Sequence, residues 1–123
     1  MSNTINVREL ATQARQLAQT FPDRVAFCAY TRFDDDELVP NCIVGQAAYN
    51  LGVSLDDLNQ VNTCGIRHLA IAENRPEWLS VGEDDETHVR WLGSLQGAQD
   101  SGENWGDALR IADRRTMLNL YGI

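Results

Sequence analysis

Few side chains in this 123-residue chain stand at spacings that could do chemistry. Cys64 and His68 are four apart, so on a helix they would share a face, as two zinc ligands can. Cys28 and Cys42 would then have to complete the set. No Cys-x-x-Cys pair is present, however, and Gly65 weakens a helix at that point. A buried thiol and a hydrogen-bonded histidine explain the pair more simply, and no metal or other cofactor is expected. Asp34, Asp35, Asp36 and Glu37 form a run of oxygen ligands, but without the alternation, central glycine and distal glutamate of a calcium loop. The run is read instead as an acidic contact surface, set against the plainer account of a solvated turn. Glu83, Asp84, Asp85 and Glu86 suit the first turn of a helix, where the dipole favours acids.

Nucleophilic catalysis needs a Ser or Cys beside an oriented base. His68 and His88 are the available bases, yet there is no Gly-x-Ser-x-Gly elbow. A phosphate loop with its lysine is ruled out, because all ten basic residues are arginines. Gln96, Gln99, Asp100, Asn104 and Trp105 bring amides and a carboxylate to one corner, either as a polar recognition patch or as ordinary helix capping.

These residues must be held by elements, and the pattern is mostly helical. A capping box at Asn6 and Glu9 starts a first helix over 6–21, with Ile5 and Leu10 as its staple and Val7, Leu10, Ala11, Ala14, Leu17, Ala18 and Phe21 as its apolar stripe. Aromatic and β-branched residues after Arg24 predict a hairpin over 24–39, with a first strand over 24–31, a turn at 33–36 and a short return strand ending before Pro40. Helices follow over 42–51, capped by Asn41, and over 55–62, 64–73, 85–99 and 103–116. The last two form an antiparallel pair joined at Asp100-Ser101-Gly102, and the stripe Trp105, Ala108, Leu109 and Ala112 should bury Trp105 against the first helix. The fold class is therefore mostly α (α+β): one helical domain, 1–123, with one small hairpin.

Composition is that of a globular protein, with 43% hydrophobic and 23% charged residues. No apolar run approaches the roughly 20 residues that cross a bilayer. MSNTINVREL lacks the basic and apolar parts of a secretory signal, so a cytoplasmic location and no membrane partner are expected. The net charge of −8 is concentrated in the middle of the chain, which repels phosphate backbones and argues against direct nucleic-acid binding. The three cysteines, an odd number without paired spacing, fit reduced, buried thiols.

The hairpin leading into NCIVGQAAYNLGVSLDDL, and the later WLGSLQGAQDSGENWGDAL, resemble small hypothetical proteins of actinobacteria and their phages. The resemblance runs from about Cys28 to Ala112. Cys42-Ile43-Val44-Gly45, Leu51-Gly52-Val53 and Gln99-Asp100-x-Gly102-x-x-Trp105-Gly106 carry it, and the arginine-only basic content fits such a source. It implies a compact domain and brings no catalytic residue with it. The expected function is that of a small acidic accessory protein, phage-derived, that binds another protein through Asp34, Asp35, Asp36 and Glu37. A small enzyme or ligand-binding domain with a pocket near His68, His88 and the cysteines is the first alternative, and an acidic mimic of nucleic acid the second. Oligomeric state is left open by the sequence.

Overall fold

The computed structural model describes residues 2–27, 29–62 and 64–116. A two-residue strand β1 (Ile5–Asn6) leads directly into helix α1 (Val7–Thr20). The start is fixed locally: Asn6 Oδ1 accepts from the Arg8 N–H at 2.8 Å, and the Asn6 N–H donates to Glu9 Oε1 at 3.2 Å. Two of the orphan N–H and acceptor needs of a helix end are thereby met by adjacent side chains. Val7, Leu10, Ala11, Ala14, Leu17 and Ala18 are all buried, which is the stripe the spacing predicts; Phe21, the last member expected, is exposed.

The hairpin is displaced from its expected place. Strand β2 is Thr31–Asp34 and pairs antiparallel with β3, Glu37–Pro40, so the expected strand over 24–31 is not formed. The described part of that segment is a strap whose carbonyls serve other elements. Pro22 O and Arg24 O accept from the N–H groups of Gly106 and Trp105, and Ala29 O and Tyr30 O accept from those of Cys42 and Asn41. The strap thus satisfies two helix starts that no ladder would reach. Its in-and-out alternation survives: Ala26 and Tyr30 are buried while Val25 and Phe27 face solvent. Cys28 lies outside the described residues.

Helix α2 (Ile43–Asn50) follows, and its cap also differs from expectation. Cys42 is the N-cap, its Sγ accepting from the Gly45 N–H at 3.3 Å. Asn41 instead donates its side-chain amide to Phe27 O and Ala29 O, both at 3.0 Å, pinning the strap to the base of β3. Gly45 lets the strap lie on the helix: a Cβ there would stand 2.2 Å from Tyr30 O. Helix α3 (Leu55–Gln60) is capped by Ser54, and α4 (Ile66–Leu69) is a single turn, trimmed at both ends of the helix expected over 64–73: Gly65 starts it, Cys64 stays outside, and it closes at Ala70. A second short strand, β4 (Leu79–Ser80), lies parallel to β1. Asp85 locks this junction, accepting from Gly82 N–H, Asn6 Nδ2 and Arg8 Nε.

The long helices α5 (Glu86–Asp100) and α6 (Trp105–Thr116) complete the layer. Gly102, at φ +104, supplies the left-handed residue of the turn between them, and Asn104 Oδ1 caps α6 through the Asp107 N–H. Trp91, Leu92, Leu95, Trp105, Ala108 and Ala112 meet α1 and α2 in the core. Arg15 on α1 pairs with both oxygens of Asp113 on α6, and the Trp91 indole N–H donates to the same carboxylate at 2.9 Å. The architecture is mostly α with one small antiparallel sheet. Among the described residues, no helix is long and apolar enough to cross a membrane.

Candidate functional site

The register Asp34↔Glu37 leaves Asp35 and Asp36 as a two-residue loop, with φ of 49° and 67°. Both central residues are left-handed, as a type I′ hairpin turn requires, and aspartate is among the few non-glycine residues that tolerate this. Two of the three aspartates therefore have a conformational reason to be there. Their charge has no such reason. Asp34, Asp35, Asp36 and Glu37 are all exposed, and the contact between Arg32 and Asp34 is a loose, solvated one at 4.0 Å.

The tip is not only acidic. Phe33, between Arg32 and Asp34, is 69% exposed. Beside the hairpin, Val25 and Phe27 of the strap are 50% and 60% exposed. A groove of about 470 Å³ runs between strap and hairpin, lined by Val25, Arg32, Asp34, Val39 and Pro40. The sequence alone hides these three apolar residues: alternation assigns Val25 and Phe27 to a strand face that any neighbouring element could cover, and Phe33 is expected in the turn rather than on a strand. Their exposure follows from the strap being single and the sheet having only two strands.

The other candidate residues are dispersed. His68 is exposed on α4 and lines a cleft of about 540 Å³ with Arg67, Ile71, Val81, Glu86 and Arg90. It is thus no core histidine. His88 does not line that cleft; its Nδ1 is buried without a partner among the described residues, and burial together with the charge of Arg8 holds its pKa below the ordinary value. Cys64 borders a third cleft, while burial pushes the Cys42 thiol up to about 12, which leaves it neutral and unreactive at ordinary pH. Among the described residues, His68, His88, Cys42 and Cys64 are not united in one pocket. Cys64 and His68 do not share a helix face either, since α4 begins at Ile66.

The corner amides divide into two groups. Gln99, wholly buried, accepts from the Ile43 N–H at 2.7 Å and from the Trp105 indole at 3.1 Å, so it caps α2 and anchors α6. Asn104 caps α6. These three, Gln99, Asn104 and Trp105, are structural. Gln96 and Asp100 border a cleft instead. No protein-family model matches the chain, and no curated protein or solved structure is significantly similar to it.

Proposed function

We propose that this chain is a small accessory protein that binds another protein through the β2–β3 hairpin tip and the adjoining strap. The observation that carries the reading is Phe33, exposed among four carboxylates. If the acidic residues served only to keep an edge hairpin soluble and unpaired, a solvent-facing phenylalanine within them would work against that purpose. Apolar anchors ringed by charge are instead the usual composition of a contact surface. Phe33 would supply the anchor at the tip, while Val25 borders the groove on the other face of the hairpin, beside Arg32, Asp34 and Val39. Asp34, Asp35, Asp36 and Glu37 would draw in a basic partner and fix its orientation.

The test compares wild type, the triple variant Asp34→Asn/Asp35→Asn/Asp36→Asn and Phe33→Ser as baits in an actinobacterial lysate, followed by binding kinetics with the retained protein. Asparagine keeps the size and the left-handed tolerance of the turn, so folding is undisturbed. Association with the triple variant should slow and lose its salt dependence, and Phe33→Ser should dissociate faster. A partner that binds both variants as wild type does would leave the tip a solubility device and sink the reading.

A further inference from the structure

On the last turn of α5, Gln96 and Asp100 stand four residues apart and share a face. They border a cleft of about 290 Å³ completed by Tyr30, Asn62, Cys64 and Gly65. The side-chain donors of Tyr30 and Asn62 are engaged within the chain. Tyr30 donates its hydroxyl hydrogen to Cys64 O at 2.7 Å. Asn62 donates to Thr31 Oγ1 and Asn59 Oδ1, at 2.9 and 2.8 Å. Gln96 Oε1, on a side chain 8% exposed, is taken by the Ile66 N–H at 2.8 Å. What the cleft still offers is an acceptor: Asp100, of which only Oδ1 is engaged, by Gln99 Nε2 at 2.8 Å.

Asp100 is placed against elementary electrostatics in three respects. It is half-buried, and burial raises its pKa. It ends a 15-residue helix, where the dipole disfavours an acid. Among the described residues, which include every arginine and histidine of the chain, none forms an ion pair with it. Residues that break local rules without internal compensation tend to be those that meet something from outside.

We propose that this cleft binds a guanidinium or primary ammonium group, with Asp100 taking the charge, Tyr30 at the floor and Gly65 at the rim beside the stem. The site is separate from the hairpin tip and stands independently of the function proposed above. The group could belong to a free small molecule or to a side chain of a bound protein, and the probes distinguish the two. Agmatine and N-acetylarginine methylamide are titrated into ¹⁵N-labelled protein, with butyramide as the uncharged control. Saturable shifts at the amides of Cys64, Gly65, Gln96 and Asp100 are expected for the cations alone. Tighter binding of agmatine indicates a free ligand, and tighter binding of the arginine derivative a partner's side chain. Asp100→Asn, nearly isosteric, should weaken binding by about tenfold or more, the usual loss for a charge-assisted contact. Gly65→Val keeps the carboxylate but fills the mouth, because a Cβ at Gly65 has only Gln96 Oε1 nearby, at 3.6 Å, and the extended backbone there accepts a β-branched residue. It should abolish the shifts while the melting transition is retained. Equal binding of butyramide, undiminished binding by either variant, or the absence of saturable shifts would overturn the proposal.

Discussion

Replacing Gln99 by methionine strips the polar group from the centre of the molecule while nearly keeping its volume. In the wild type, Gln99 Oε1 serves two donors at once, the Ile43 N–H and the Trp105 indole N–H, and all three residues are fully buried. Each donor left unsatisfied costs about 1–3 kcal/mol. A volume-conserving change adds less than about 1.5 kcal/mol of repacking strain, and the thioether returns part of the total as buried apolar surface. A net loss of about 3–4 kcal/mol follows, a large share of the roughly 5–15 kcal/mol that holds a domain together. Gln96→Met is the internal control, since Gln96 Oε1 serves one donor, the Ile66 N–H, and should cost about 1–2 kcal/mol. Urea unfolding of the three proteins measures both losses, with unchanged m-values required for the comparison. If Gln99→Met costs less than Gln96→Met, or less than about 1 kcal/mol, a bridging role for Gln99 is refuted.

Two further outcomes are expected. Folding favours neutral His88, so the unfolded chain takes up that proton first; stability should be full above the unfolded pKa of about 6.5 and decline as pH falls through it, a slope that His88→Gln removes in urea midpoints read from pH 8 to 5. Asp85 adds a second decline at lower pH: burial opposes its ionisation, but the Gly82 N–H, Arg8 and Asn6 outweigh this and hold its pKa below 3.8, so its contribution is present above the ordinary carboxylate range and lost as pH falls through the folded value. A midpoint flat or rising from pH 7.5 to 5.5 would show that His88 is not shielded. Among the glycines, Gly45→Ala drives a methyl into Tyr30 O and should lower the melting temperature sharply. Gly97→Ala, exposed within α5 with nothing within 4 Å, should raise stability by up to about 1 kcal/mol, so the two melts should move in opposite directions.

The helices were legible where their signals are local. Asn6, Glu9 and the stripe from Val7 to Ala18 specify α1 within its own sequence, and the Trp105 stripe specifies α6 in the same way. The hairpin lies later than its pattern predicts because the segment after Arg24 alternates like a strand while its carbonyls serve the starts of α2 and α6, partners 11 to over 80 residues distant that no window contains. Gln99 and Gln96, which accept from the first N–H groups of α2 and α4, are hidden in the same way, since they act across 56 and 30 residues. The charge of the tip is plain in Asp34 to Glu37. The exposure of Phe33 is not, because exposure of an aromatic residue depends on which elements fail to cover it. Asp100 stood in view among the corner residues, but its lack of a cation emerges only when every arginine has a position.

The pairing of β1 with β4 bears on how the chain finds its fold. Asn6 and Ser80 are 74 residues apart, and closing so long a loop costs about 4 kcal/mol of chain entropy for a ladder of two residue pairs. The turn between α5 and α6 is a few residues long and closes at about a quarter to a third of that cost, so local helix docking is favoured before the distant strands meet. The N-terminal strand then arrives on a surface already made, carrying Asn6 and Arg8 to Asp85. The clasp is a late seal on the molecule, and its two short strands hold because the helices behind them have removed the entropy that would otherwise keep them apart.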